Sequence, residues 1–392
     1  MAFAISARLD RGIIAAIMIL ALVVRVLAAI VIPDQSHLLV DAVGYRESAV
    51  ELLRHGHTGN PYQMPLYPLL LAITGSGIGQ MAADIVLSVL LIWIVWALTI
   101  EIFADRTAAA LAALATACYP PLIFFSVVGL TETLFITLVV AAFLSWYRAN
   151  FTIAAVFAVL AILTRPIFDL FAPLMILTFA LAVHRLSLAQ TIRRLIIYAF
   201  IYIGLMAPWW ISNYHAYDRF VRLTAGGGTA LYTGNNPLNK SGGAISGQDY
   251  DLKDFNHIEN LADRDSALRD AALNFIRNNP IRFFELAVLK FGRIWSPWPI
   301  NQGYRNPGIV ALSILSFVPV IILAGIGMFM KRDMVKRLAP IYLFGVGYTV
   351  VNMIIAGTIR YRLPLEPFLL VFAAVAASEI GQRVFKSYPV RL

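Results

Sequence analysis

The sequence predicts an all-α polytopic membrane protein: about ten transmembrane helices, two amphipathic helices on the outer surface and a small outer lobe. Three observations carry that reading. Hydrophobic residues make up 60% of the 392 and charged residues only 14%, a balance more apolar than a soluble core of this size needs. Windows such as 107–131, 195–217 and 306–330 hold no charged side chain, and each is long enough for a helix to cross about 30 Å of hydrocarbon. Between the windows, basic residues fall in short clusters: Arg8 and Arg11; Arg185, Arg193 and Arg194; Lys331, Arg332, Lys336 and Arg337; Arg383, Lys386 and Arg391. Under the positive-inside rule these are cytoplasmic anchors, so both termini are cytoplasmic.

The first span is about 12–32. It carries Arg25 and lacks a convincing small-residue cleavage site, so it reads as a retained span rather than a removed signal peptide. An outer loop, 33–67, follows. Within it, 38–53 mixes apolar residues with Asp41, Arg46 and Glu47 at helical spacing, which predicts a surface helix too polar to span. Pro61, Pro65 and Pro68 punctuate the re-entry, and 69–73 is too short to cross. Spans follow at about 80–103, 107–126, 130–147, 151–165, 166–184 and 192–212. The stretch 213–306 is the long polar region. It holds the glycines 226–228, read as a flexible turn, and a helix over 261–276. A second surface helix over 281–294 ends at Trp295-Ser296-Pro297-Trp298, an interfacial aromatic anchor. The last spans are about 307–330, 338–356 and 363–381. In this topology about 14 Lys and Arg lie in cytoplasmic segments against roughly 5 in the short outer loops, and the rule discounts the 11 or so in the long lobe.

The net charge of +9 would point a soluble domain toward nucleic acid, but here the basic residues belong to the membrane topology. The single cysteine, Cys118, excludes an intramolecular disulfide and a cysteine-based zinc site, and its apolar window reads as a buried thiol. His55 and His57 have no further His or Cys nearby to complete a metal site. The glycines 226–228 lack the Lys-Ser/Thr of a nucleotide loop. No cofactor is indicated, and neither is a divalent metal.

Charges at membrane depth are costly, so each is a functional candidate. Asp41, Glu132, Arg165, Asp169, Arg360 and Arg362 all fall near the outer ends of spans and are expected to converge on one outward cavity. Asp41 is either a helix N-cap or a general base that takes the proton of an acceptor hydroxyl. Glu132 is either a first-turn dipole partner or a site carboxylate. Arg360 and Arg362 either snorkel or bind a lipid phosphate with paired guanidinium groups. Lys290 and Arg293 are weaker candidates for that role, or surface anchors. Arg165 and Asp169 have the spacing of a local ion pair, and Arg25 has the option of pairing within the bundle.

The chain resembles the polytopic GT-C glycosyltransferases that use polyprenyl-phosphate sugars, especially bacterial relatives of protein O-mannosyltransferases and the lipid A aminoarabinose transferase. The resemblance rests on ordered short motifs across about 330 residues. They are Asp-Ala-Val-Gly-Tyr at 41–45, Met-Pro-Leu-Tyr-Pro at 64–68, Gly-Leu-Thr-Glu-Thr-Leu-Phe at 129–135 and Leu-Thr-Arg-Pro at 163–166. Pro-Trp-Trp-Ile-Ser-Asn-Tyr at 208–214, Thr-Gly-Asn-Asn-Pro at 233–237 and Arg-Tyr-Arg-Leu-Pro at 360–364 follow. The resemblance implies a multi-pass protein of the bacterial inner membrane with a periplasmic active site, no nucleic acid partner, and an inverting sugar transfer from a polyprenyl-phosphate donor to a lipid, glycan or protein. It implies Asp41 as the base, with Glu132 beside it, and Arg360, Arg362, Lys290 and Arg165 on the donor phosphate. Tyr45, Tyr67, Asn235 and Tyr361, inside the matching motifs, are the implied substrate contacts. Many members carry Asp-Glu where this chain has Asp41-Ala42, which leaves Asp34 or Glu47 as alternative bases; the large C-terminal soluble domain of some relatives has no counterpart. Two rival readings remain open. A lipid or lipid-linked sugar flippase would also need intramembrane charges, yet no internal repeat or pair of broken helices supports it. A glycan ligase would share the location and donor chemistry.

Overall fold

The computed structural model describes residues 2–32, 39–245, 247–300 and 306–387. Asp34, Arg391 and the side chains of Arg8 and Lys386 lie outside what is described, as do positions 33–38 and 301–305 of the two outer regions.

The chain is a helical membrane protein. Among the described residues seven helical segments are long and apolar enough to cross a membrane; three shorter apolar helices, Arg106–Cys118, Glu132–Tyr147 and Phe151–Ile162, fall where three further spans were expected but do not reach that length. In chain order the helices are α1 (Ala2–Val31), α2 (Val40–His55), α3 (Leu66–Thr74), α4 (Ile78–Phe103), α5 (Arg106–Cys118), α6 (Pro120–Phe125), α7 (Glu132–Tyr147) and α8 (Phe151–Ile162). They continue as α9 (Ala172–Thr178), α10 (Leu188–Tyr217), α11 (Gly227–Gly234), α12 (Leu261–Asn278), α13 (Pro280–Ile294), α14 (Pro307–Met330), α15 (Val335–Ile355) and α16 (Glu366–Ser387).

Side-chain chemistry sets several boundaries. Asp105 caps α5 by accepting from the Ala108 amide at 2.9 Å, and Ser187 with Gln190 forms a capping box at the start of α10. The span expected over 107–126 is broken: Tyr119 is extended ahead of Pro120, the conformation a residue before proline favours, and the chain divides into α5 and α6. The span expected over 166–184 is irregular. A 3-10 turn (Pro166–Leu170), α9 and a π-helical turn (Phe179–Val183) succeed one another.

α7 is the central helix. Every residue of it except Ser145 is buried, which fits a segment apolar around its whole circumference. It packs against α4 and α8, while α16 packs against α5 and α14. Aromatic rings join these layers: Phe143 meets Phe179, Phe344 and Phe368 at centroid distances of 5.7, 5.4 and 4.8 Å. By contrast only 17% of the α1 window and 11% of the α14 window is buried, so the peripheral spans turn most of their apolar surface outward, as lipid contact requires.

The two ends of the bundle differ. At one end Arg106 pairs with Asp10 (2.9 Å), Arg148 with Glu101 (3.4 Å) and Lys331 with Glu379. At the other lie α2, α3 and the lobe. There α11 begins at the glycines expected to form a free turn: the Gly228 and Thr229 amides donate to the Asp265 carboxylate at 3.0 and 2.7 Å. A Cβ at Gly228 would run into the Asp265 backbone, so the glycine permits this close approach of α11 to α12. α13 exposes Ile281, Phe284, Val288 and Phe291 along one stripe and buries Leu286, Lys290 and Ile294 on the other. This two-faced pattern is the one expected of the amphipathic helix that the sequence predicts.

Candidate active site

Four charged side chains from four distant segments meet at the lobe end. Arg360 stands in the middle, on a 3-10 turn (Ile359–Leu365) that links α15 to α16. Its Nη1 donates to Asp41 Oδ2 at 2.6 Å, and its Nε donates to Glu132 Oε1. Arg165 Nη2 reaches the same Glu132 oxygen at 2.5 Å, and its Nε donates to Thr131 Oγ1 at 2.8 Å. Two acids and two guanidinium groups thus balance in charge.

Local sequence aims each one. Arg165 precedes Pro166 and is held extended (φ −142°, ψ 119°), which swings its side chain out of the helix line toward α7. Glu132 is the first residue of α7, and the turn before it depends on Gly129 at φ +73°, where any side chain would strike Gln80. Asp41 lies in the first turn of α2. The N-cap there is Leu39, which makes no side-chain cap bond, so the capping alternative for Asp41 does not hold.

Burial differs sharply across the cluster. Glu132 is wholly buried, and its Oε2 has no hydrogen-bond partner among the described residues. Asp41 is the open end, with 55% of its side chain exposed. Partial enclosure by protein would raise its carboxyl, but the charge and hydrogen bond of Arg360 outweigh this and hold it below the usual carboxylate range.

Aromatic groups wall the site. Tyr45, one turn from Asp41 on α2, sits within electrostatic reach of all four charges, and burial pushes its phenol up. Its ring meets Tyr67 edge-on at 5.3 Å; Tyr67, expected to contact substrate, is instead fully buried and donates to Asp84 Oδ2 at 2.8 Å. Arg165 also reaches Tyr348, beside which Tyr361 lies half-buried.

Four expected members, Arg362, Lys290, Asn235 and Asp169, are elsewhere. Arg362 is 3% exposed and turned inward, donating to Glu366 (2.8 Å), to the Ser296 carbonyl (2.8 Å) and to the Ile294 carbonyl (3.2 Å) under the Phe317 ring. It pins α13 to α16 and has no open side at the cluster. Lys290, read as a surface anchor or phosphate ligand, is fully buried, with Nζ donating to Asn235 Oδ1 at 2.9 Å and the Ile354 carbonyl at 3.1 Å. Burial lowers its pKa to about 7. Asn235 is correspondingly consumed: its amide donates to the Leu231 and Ile354 carbonyls, both at 2.8 Å. Lys290 and Asn235 join α11, α13 and α15.

Asp169 pairs with Arg222, not with Arg165. Arg25, buried in the bundle, donates to Ser88 at 2.7 Å and to the Ala117 carbonyl at 3.0 Å. Arg293 donates to the Gly357 carbonyl at 3.0 Å. Cys118 is exposed, not buried. His55 and His57 stack at 5.9 Å, and together with His215 they line a cleft of about 710 Å³; among the described residues no group of three His, Cys, Asp or Glu is placed to hold a metal.

Tyr348 and Asp84 are not among the candidates the sequence offers, and Thr131 appears there only within the 129–135 motif. Asp84 had a usable signal, a lone carboxylate within an apolar run; Thr131 and Tyr348 join only through tertiary contacts.

No family model matches the chain, and no curated protein matches it. Solved structures do. The apo crystal structure of the Archaeoglobus fulgidus oligosaccharyltransferase aligns with a TM-score of 0.56 at 12% identity, covering 96% of this chain and 51% of that one. The same enzyme tethered to an acceptor peptide aligns at 0.53, with 13% identity over 96% of this chain and 50% of that one. The Archaeoglobus fulgidus oligosaccharyltransferase AglB in complex with an inhibitory peptide and a dolichol-phosphate gives 0.53 at 13% identity, covering 99% and 53%. The chain spans about half the length of these structures and shares their fold.

Proposed function

We propose that this protein is a membrane glycosyltransferase that moves a sugar from a polyprenyl-phosphate carrier to an acceptor at the lobe end of the bundle. The observation that carries the proposal is Arg360, held between Asp41 and Glu132 at the open end of a GT-C bundle. The AglB neighbour, described in complex with a dolichol-phosphate, supports the donor class.

Arg360 and Arg165 offer guanidinium groups to the donor phosphate, and bidentate guanidinium–phosphate contacts are strong and directional. A phosphate that draws Arg360 away also removes the charge that keeps Asp41 a weak base. The proton affinity of Asp41 then rises as the donor arrives. The acceptor oxygen attacks the anomeric carbon while its proton passes to Asp41. The carbon–oxygen bond to phosphate breaks, and polyprenyl phosphate leaves with the bonding pair and a second negative charge facing the arginines. One displacement inverts the anomeric carbon. Glu132, buried beneath the two guanidinium groups, holds the arginines in register. We place the lobe end on the outer, periplasmic face, because the basic clusters gather at the opposite end.

The test is transfer by the purified protein from a panel of radiolabelled polyprenyl-phosphate sugars, with the anomeric configuration of the product read by proton NMR. Inverted product is expected. Retained configuration would overturn the single displacement, and carrier movement across liposomes without sugar transfer would favour a flippase. The oligosaccharyltransferase neighbours support one second reading, a ligase that transfers a whole glycan; the size of the transferred group separates the two.

A further inference from the structure

A groove of about 450 Å³ runs along α2 from Gly44, one turn past Asp41, with none of the four clustered charges in its lining; its volume is within the usual range for small-molecule sites of about 300–1,000 Å³. Glu47, Ser48 and Glu51 form its α2 wall, Thr58, Asn60 and Tyr62 the facing loop, and Leu261 at the start of α12 its far side. Asp41, Gly44, Ser48 and Glu51 recur at helical spacing, so the groove occupies the face of α2 whose upper end is Asp41. At 1.5 Å per residue, Ser48 and Glu51 lie ~10 and ~15 Å along the axis from Asp41.

We infer that this groove is the acceptor site and that the acceptor is a neutral saccharide of more than one ring. The inference rests on the glycosyltransferase reading above. Among the described residues Glu47 has no ion-pair partner, and Glu51 has only His55 at 3.6 Å. Among the described residues no hydrogen bond engages the Asn60 amide nitrogen or the Tyr62 hydroxyl: Asn60 Oδ1 accepts from the Tyr62 backbone amide at 2.9 Å, and Thr58 turns to the Asn60 carbonyl at 3.3 Å. Free carboxylates accept from sugar hydroxyls, a free amide donates back, and a tyrosine ring offers a flat apolar face. Two carboxylates, with no Lys or Arg among the residues that line the groove, disfavour an anionic acceptor such as a phosphorylated headgroup. The small residue Gly44 brings Gln63 close against α2, where Gln63 also accepts from Ser48 at 3.1 Å. A saccharide laid from Asp41 toward Glu51 follows this polar track, and a single ring covers only its near end.

The experiment is binding of mannotetraose, cellotetraose and maltotetraose to the whole protein in sugar-free nanodiscs by saturation-transfer NMR, with a lysine-rich peptide and a phosphorylated disaccharide as comparators. At least one neutral tetrasaccharide is expected to bind more tightly than its monosaccharide, with Kd raised about tenfold or more in Glu47→Lys, from loss of one charge-assisted hydrogen bond and a newly introduced cation. Because Glu47 is exposed and unpaired, this variant is expected to keep the wild-type melting temperature. Glu47→Gln, which keeps the shape and an acceptor oxygen, is expected to fall between the two. Preference for the peptide or the phosphorylated sugar, or tetrasaccharide binding indifferent to Glu47→Lys, overturns the inference. Donor turnover onto another acceptor, with no saccharide bound, discards the groove and keeps the enzyme. Saccharide bound in the groove, with no donor consumed, keeps the groove and discards the transferase.

Discussion

Replacing Arg360 by lysine tests the centre of the site without removing its charge. The guanidinium makes two contacts through different nitrogens, Nη1 to Asp41 and Nε to Glu132. A lysine ammonium is a point charge on a flexible stem and cannot reproduce that fork. One charge-assisted hydrogen bond, worth roughly 1.5–3 kcal/mol, is therefore lost in the resting site and again at the donor phosphate. If the loss at the phosphate is felt in the transition state, kcat/KM for the donor falls about 10- to 100-fold, at 1.36 kcal/mol per tenfold. Glu132 keeps Arg165 at 2.5 Å, so no buried carboxylate is left unpaired and the fold is expected to survive. The assay is initial-rate sugar transfer at varied donor, together with a thermal unfolding curve in the same detergent. A folded Arg360→Lys enzyme with wild-type kcat/KM for the donor would refute the assignment of this guanidinium to the donor phosphate.

Arg362→Met is expected to behave in the opposite way. It strands Glu366 in the core and frees two carbonyls, so stability falls by about 3–5 kcal/mol, while the donor KM of whatever remains folded is unchanged; thermal unfolding with residual kinetics reads both. Lys290 predicts a pH dependence. Its folded pKa of about 7 lies below the ordinary lysine value, so the unfolded chain binds more protons between those limits and stability rises with pH there. Between pH 7 and 9 the gain is about 2 kcal/mol, seen as a rising melting temperature that Lys290→Met flattens.

Composition and hydropathy made the bundle legible, because length and apolarity decide which segments cross lipid. They could not tell lipid from protein core. Cys118 sits in an apolar window, yet its side chain is exposed at the end of α5. The site was half-legible for a related reason. Asp41, Glu132, Arg165 and Arg360 each stand out as charges at span ends, but the contacts of Arg360 reach 319 and 228 residues back along the chain, where local pattern carries no information. Arg360 and Arg362 looked paired only in sequence. On a 3-10 turn, with three residues per turn, positions two apart point in different directions, and Arg362 turns into the core. Lys290 did leave a trace: it falls four residues from both Leu286 and Ile294, on the buried face of α13, and its charge alone suggested the surface.

Asp41 is where the proposed chemistry and the described geometry meet most directly. Asp41→Asn keeps the shape and can still accept from Arg360, but it cannot take up a proton. The decisive measurement is sugar transfer from a radiolabelled polyprenyl-phosphate donor by wild type and Asp41→Asn, each shown to have the same melting temperature. The proposed mechanism predicts transfer in the wild type and a loss of at least about 100-fold in the variant, the scale of general-base catalysis. Equal transfer by both proteins would contradict it.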